Sequence, residues 1–122
     1  MNSERFVIDT NIFILRFNDR LADLLPGGEI ICSIITEIEL LSFSKLTSSE
    51  ETLIRDTLAK LAIYGIDQDI KKEAIRLRRE SGLKLPDAII AATAICHQAI
   101  LVTNDTELQN VSDLKSQSLA TK

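Results

Sequence analysis

The chain has 122 residues, which fits a single domain over residues 1–122 and is long enough to bury a core without metal or disulfide staples. Hydrophobic residues make up 45% and charged residues 26% of it, which is ordinary for a folded protein and argues against disorder. The net charge of −4 and the aromatic fraction of 4% argue against a broad phosphate-binding surface and against base stacking as the main source of affinity.

The predicted elements of the first half alternate between short apolar strands and helices. Residues 5–9 read as a buried strand, Thr10-Asn11 offers helix-capping side chains, and a helix is expected over 12–17. After a Pro-Gly-Gly loop, the pattern predicts a strand over 29–33, a helix over 34–44, a helix over 47–60 and a strand over 61–66.

The second half is dominated by two predicted helices. The first begins at Asp67 and stops at Ser81-Gly82, and the second, apolar on almost every side, runs from Asp87 to about Gln98, with His97 as a capping residue. A strand over 99–103 follows, then a polar tail from about residue 111 with a short edge strand near 118–120 and a frayed end. This alternation predicts an α/β layered domain with a mostly parallel sheet.

Cysteine and histidine content limits the metals that this chain could bind. Cys32 and Cys96 lie in apolar segments and are expected to be core residues, and His97 is the only histidine, so a zinc site is not expected. Oxygen ligands would favour Mg²⁺ or Mn²⁺. The longest nearly apolar run, over 88–96, is too short to span a bilayer, and no signal-peptide pattern is seen, so we expect a cytoplasmic protein that does not enter membranes.

Four acidic residues fall at positions where a parallel sheet gathers functional groups. Asp9 ends the first strand, Glu39 shares a helical side with Ile35, Asp87 opens the apolar helix, and Asp105 follows the fourth strand. Each has an ordinary alternative: a helix cap for Asp9, an exposed surface position for Glu39, a favourable helix-dipole contact for Asp87 and turn chemistry for Asp105.

Taken together, these acids predict a cation site. Four carboxylates in one pocket would repel and raise one another's pKa, and a divalent cation removes that conflict. A phosphoryl-accepting signalling domain and a dehalogenase-like phosphatase also place Asp at strand ends. Both are disfavoured because Thr10-Asn11 follows Asp9 where those classes need a second acid.

Four segments of the sequence resemble the signature segments of PIN-domain nucleases, and their order and spacing resemble the small bacterial VapC-type toxins. The resemblance spans residues 6 to about 108. The segments are Val7-Ile8-Asp9-Thr10-Asn11, Thr36-Glu37-Ile38-Glu39-Leu40-Leu41, Leu85-Pro86-Asp87-Ala88-Ile89-Ile90-Ala91-Ala92 and Leu101-Val102-Thr103-Asn104-Asp105.

The resemblance implies a three-layer α/β/α sandwich and an endoribonuclease that uses Mg²⁺ or Mn²⁺ to hydrolyse RNA phosphodiester bonds. It also implies a homodimer and the toxin role of a type II toxin–antitoxin pair, with a cognate antitoxin as partner. The matching catalytic residues are Asp9, Glu39, Asp87 and Asp105. Asp9, Asp87 and Asp105 would bind metal, with Glu107 as competitor to Asp105. Thr10, Asn11 and Thr103 match polar supporting positions.

Positive charge for binding RNA has to come from a local patch. Lys72, Arg76 and Arg79 share one helical face by spacing, and Arg16 follows Asp9 on the first helix. A solvated surface interleaved with Glu73 and Glu80 is the ordinary alternative for the first three. The alternative function is a catalytically silent PIN-like module that binds RNA or protein.

Overall fold

The computed structural model describes residues 4–122 and shows a five-stranded sheet with helices packed on both faces. The strands are β1 Arg5–Ile8, β2 Glu29–Ser33, β3 Ala62–Tyr64, β4 Ile100–Val102 and β5 Ser116–Gln117. The helices are α1 Thr10–Phe17, α2 Ile34–Leu41, α3 Ser48–Leu58, α4 Gln68–Ser81, α5 Leu85–Cys96 and α6 Thr106–Gln109. Within this range, no helix has both the length and the apolar character needed to cross a membrane.

The strand order is β3-β2-β1-β4-β5, and every pairing is parallel, which confirms the predicted sheet type. From the central strand β1, the chain winds outward to β2 and β3 and then returns to add β4 and β5 on the other side. The direction of winding therefore reverses between β1 and β4. In open α/β sheets, ligands bind in the crevice outside the carboxyl ends of the strands at such a point.

Successive strand residues point to opposite faces of the sheet and build two separate cores. Val7 and Leu101 belong to the core under α4 and α5, whereas Ile8 and Val102 belong to the core under α1, α2 and α3. All four are fully buried. Two helical layers around one sheet confirm the three-layer α/β/α sandwich.

The apolar helix α5 begins two residues earlier than predicted. Leu85 is its first residue, so Pro86 falls within the first turn, where a missing backbone N–H costs nothing because that N–H would have no helical partner. Asp87 is consequently the third residue of the helix rather than its opening residue. His97 is the C-cap, as predicted, and its ring packs on that of Tyr64 with centroids 4.0 Å apart.

The prediction for the tail was wrong in two respects. Strand β5 lies at Ser116–Gln117, two residues before the predicted position, and the end of the chain is anchored rather than frayed. The side chain of Asn104 donates to the Leu119 carbonyl at 3.0 Å and accepts from the Leu119 N–H at 2.9 Å. The backbone of Ala22 also donates to the carbonyl of Ala120 at 2.8 Å, so the tail is tied to the loop after α1.

Two smaller expectations were also wrong. Cys96 is exposed because it lies in the last turn of α5 where the helix leaves the core, whereas Cys32 is buried as predicted. The single-turn helix α6 was not predicted, since four residues are too few to show a helical period.

Candidate active site

Asp9 lies at the carboxyl end of β1, and its side chain is only 6% exposed. Its backbone N–H donates to the carbonyl of Val102 at 3.0 Å, which fixes the end of β1 against β4. Helix α1 begins at Thr10, so Asp9 occupies the N-cap position that had been expected for Thr10-Asn11. The Asp9 side chain makes no capping hydrogen bond, however; its Oδ2 accepts from the Thr103 hydroxyl at 2.8 Å.

Thr103 connects the ends of β1 and β4. It is fully buried directly after β4, and its backbone N–H donates to the carbonyl of Gln117. Its hydroxyl donates to Asp9 and accepts from the backbone N–H of Asp105 at 3.0 Å. One threonine therefore sets the orientation of one carboxylate and the path of the chain that carries another.

Glu39 is held by a short chain of hydroxyl groups. Its Oε1 accepts from the Thr10 hydroxyl at 2.6 Å, and the Thr10 and Thr36 hydroxyl oxygens lie 2.9 Å apart. Because an ionised carboxylate can only accept, the Thr10 proton goes to Glu39, and Thr36 donates to Thr10. Thr36 was missed from the sequence, although it is buried one helical turn before Glu39 and that spacing alone could have indicated it.

Asp87 is half-buried in the first turn of α5. Burial raises its pKa, and the negative charges of Asp105 and Glu39 raise it further, while the positive charge of Lys84 acts in the opposite direction. The pKa of Asp9 is also raised, mainly by burial and additionally by the charges of Asp87 and Asp105. The four predicted acids are thus close enough to act on one another electrostatically.

Asp105 and Glu107 compete for the fourth position, and both are exposed. Asp105 caps α6 by accepting from the Glu107 N–H at 2.8 Å, so the ordinary turn role is present. The Asp105 charge nevertheless raises the pKa of both Asp9 and Asp87, whereas Glu107 is the weakest of the groups acting on Asp87. The charge of Asp105 therefore acts more strongly on the other acids than that of Glu107.

The donor set of the cluster suits a hard cation. In the part of the chain from residue 4 onward, none of these carboxylates forms an ion pair with a Lys, Arg or His side chain. No three acidic, Cys or His side chains in that part converge tightly enough to hold one ion by themselves. Mg²⁺ keeps several waters and needs only one or two carboxylates, so a converging set of three is not required to hold it.

One of the residues predicted to bind substrate, Arg76, is already paired with acidic side chains. The Arg76 guanidinium donates to Glu73, Glu80 and Asp113, so its charge is already compensated. Lys72 and Arg79 are exposed on α4, Asn11 is exposed in the first turn of α1, and Arg16 lies in the last turn of that helix. Arg16 is seven residues from Asp9, roughly 10 Å along the helix axis.

A cavity of about 670 Å³ lies at the opposite end of the sheet, lined by Arg5, His97, Lys115 and neighbouring residues. Arg5 and Ile100, which begin β1 and β4, border it, so it belongs to the amino ends of the strands. None of the four clustered acids lines it. The rule for parallel sheets and the chemistry of the side chains both point instead to the carboxyl end.

The model of the PIN domain family matches residues 6–114 of the sequence. The chain belongs to the PIN domain family. PIN domains are nucleases, so the activity class is that of a nuclease, a hydrolase. A comparison with curated proteins found no match.

Solved structures similar to this PIN domain come from toxin–antitoxin complexes. A toxin–antitoxin complex from Klebsiella pneumoniae is 34% identical and has a TM-score of 0.74, with 88% of this chain and 93% of that chain covered. VapBC2 from Rickettsia felis, bound to promoter DNA, has 22% identity, a TM-score of 0.79 and coverages of 94% and 98%. VapBC-1 from Haemophilus influenzae has 24% identity and a TM-score of 0.75, with 93% of this chain and 97% of that chain covered. The two less similar structures share the fold.

Proposed function

We propose that this PIN domain is an endoribonuclease that hydrolyses RNA phosphodiester bonds with Mg²⁺ or Mn²⁺ and serves as the toxin of a type II toxin–antitoxin pair. The observation that carries the proposal is the buried carboxylate of Asp9, which has a hydrogen bond from Thr103 but no ion pair in the described chain. A buried carboxylate of this kind is costly unless a cation binds beside it. The other three acids of the cluster, Glu39, Asp87 and Asp105, add negative charge around it.

Asp9, Asp87 and Asp105 would hold the ion, some of them through intervening waters because the three side chains do not converge on one point. The ion would neutralise charge on the phosphoryl oxygens and lower the pKa of a water. Thr103 keeps Asp9 pointed into the crevice by its hydrogen bond. Thr10 and Thr36 keep Glu39 at the edge of the cluster, where its carboxylate can accept a proton from the attacking water. The protein therefore supplies orientation and a base, without a histidine.

The test is cleavage of purified RNA with Mg²⁺, with Mn²⁺ and with chelator, by the wild type, Asp9→Asn and Asp87→Asn. Asp56→Asn, an exposed change on α3, is the matched control. We expect cutting by the wild type and the control only when a divalent ion is present, and loss of cutting in both site variants. Cutting that persists in chelator or in both variants would overturn the mechanism. RNA binding without cutting by the wild type would favour the silent binding module.

We also propose that an antitoxin binds this chain, as in the Klebsiella pneumoniae complex. A groove of about 360 Å³ between α1, α2 and α3 is lined by apolar side chains that include Leu40, Phe43 and Leu53. Phe43 and Leu53 are each about half exposed, and exposed apolar patches of this kind mark protein-binding surfaces.

Co-expression with the reading frame next to the gene tests this partner. The antitoxin should co-purify with the wild type and be lost from the double variant Phe43→Ser and Leu53→Ser. Co-purification that survives the double change would place the antitoxin elsewhere. The proposed homodimer is tested by light scattering of the purified chain, where a monomer mass at every concentration would contradict it.

A further inference from the structure

Lys84 lies at the edge of the acidic cluster and has no role in the function described so far. It is the N-cap of α5, with φ −62° and ψ 154°, and Asp87 is the third residue of that helix. Side chains at the N-cap and at the third helical position are neighbours, as the capping box shows. The Lys84 and Asp87 side chains therefore leave the backbone on the same side of the helix end.

Lysine is an unfavourable choice for this position. The side chains of Ser33, Thr47, Asp67 and Asp105 cap α2, α3, α4 and α6, whereas Lys84 makes no such bond, because an ammonium group can only donate. A positive charge beside a helix N-terminus also opposes the helix dipole. Residues that break local rules in this way concentrate at functional sites.

The backbone around Lys84 is held firmly. Gly82 ends α4 in the left-handed region with φ 66°, and its N–H donates to the Arg78 carbonyl at 3.1 Å. Leu83 is buried, and the Lys84 carbonyl accepts from the Ala88 N–H at 2.9 Å. The side chain of Lys84 is exposed, whereas its backbone is fixed by these contacts.

The charge of Lys84 is not consumed by a protein partner. Over residues 4–122 its ammonium group forms no ion pair within 4.0 Å, although Lys84 caps the helix end that carries Asp87. Arg76 differs from Lys84 in this respect, because its guanidinium is paired with three carboxylates. An ammonium near the cluster but outside direct contact can take an anionic ligand.

We propose that Lys84 binds a phosphate of the RNA substrate beside the acidic cluster and so strengthens substrate binding there. This inference rests on the proposed function. Lysine binds phosphate as a point charge, and the contact requires no particular base. Lys84 would therefore supply positive charge that the net charge of −4 and the compensated Arg76 do not provide.

Cleavage kinetics of Lys84→Gln test the inference, with Lys71→Gln, an exposed change near the start of α4, as control. We expect Lys84→Gln to raise KM about 3- to 10-fold while kcat stays within about 2-fold, because the lost contact is one of substrate binding. Lys84→Arg should restore KM. A KM equal to that of the control would overturn the inference and leave the proposed function standing.

Binding of single-stranded RNA separates the two proposals. It is measured in the Asp9→Asn background, in which cleavage is not expected, at several salt concentrations. Loss of one phosphate contact should reduce the slope of log K against log salt by about 0.7. If the wild type cuts no RNA but Lys84→Gln still lowers this slope, the phosphate contact is supported although the proposed nuclease activity is not. An unchanged slope overturns the phosphate contact. A purely structural role would alter the melting temperature and not the slope.

Discussion

The two ends of the parallel sheet differ in whether their charged side chains form ion pairs. At the amino end, Arg5 pairs with Glu29 at 3.1 Å and also donates to the carbonyl of His97. At the carboxyl end, Asp9 and Asp87 have raised pKa values and, in the described chain, no ion-pair partner. Charges at the amino end are thus paired within the chain, whereas the acids at the carboxyl end are left without a partner, as the proposed cation site requires.

The largest difference between the two ends should appear in activity. We expect Asp87→Asn to reduce RNA cleavage by at least about 100-fold, since it removes a proposed ligand of the metal. Glu29→Gln, the corresponding loss of an acid at the amino end, should leave cleavage within about 2-fold. Initial rates with Mn²⁺ measure both. An equal loss of cleavage rate in the two variants would show that the acids at the carboxyl end have no particular role in catalysis.

Thr103 gives a second, smaller contrast. Thr103→Val removes the hydroxyl that donates to Asp9 and accepts from Asp105, so we expect activity to fall by about 10- to 100-fold. Leaving the buried Asp9 carboxylate and the Asp105 N–H without this partner should also lower the free energy of unfolding by about 1–3 kcal/mol. Thr103→Ser, which keeps the hydroxyl, serves as control. Denaturant unfolding and cleavage rates for the pair measure these effects, and full activity of Thr103→Val would exclude an orienting role.

Stability should depend on pH through the buried carboxyl group of Asp9. Burial raises its pKa above 3.8, so its contribution to stability is present below about pH 3.8 and is lost as the pH rises through the raised value. Without divalent ions, Asp9→Asn should therefore melt at a higher temperature than the wild type at pH 7, and this advantage should vanish in acid. Melting curves from pH 3 to 8 measure it. A lower melting temperature for Asp9→Asn at pH 7 would contradict the assignment.

The smallest effect is expected at the amino end. The side chains of Arg5 and Glu29 are each about half exposed, so their ion pair contributes little. Arg5→Gln should reduce the free energy of unfolding by about 1 kcal/mol or less, and raising the salt concentration should remove the difference. A loss that is much larger and insensitive to salt would mean that the amino end depends on this pair more than its exposure indicates.

Local patterns were sufficient to predict most of the architecture. Continuous apolar runs such as residues 6–8 indicated buried parallel strands, and Ser81-Gly82 indicated the end of α4. The positions of Asp9 and Asp87 followed from the rule that parallel strands present their carboxyl ends together. These features depend on residues close in sequence.

The features that could not be predicted depend on contacts between distant residues. The anchored tail depends on Asn104 and Leu119, which lie 15 positions apart, and the pairing of Arg76 with Asp113 joins residues 37 positions apart. The spacing on α4 alone could not show that Arg76 is already compensated. Likewise, the alignment of Thr103 with Asp9 appears only when β4 lies beside β1.

Metal binding tests the central claim most directly. The measurement is the rise in melting temperature on adding Mn²⁺ to the wild type, Asp9→Asn, Asp87→Asn and Glu29→Gln. An ion that binds the folded chain stabilises it by about 2.7 kcal/mol at 100 times its Kd. We predict a clear rise for the wild type and Glu29→Gln and little or none for the two site variants. No rise in the wild type, or an equal rise in all four proteins, would contradict a cation site at the carboxyl end of the sheet.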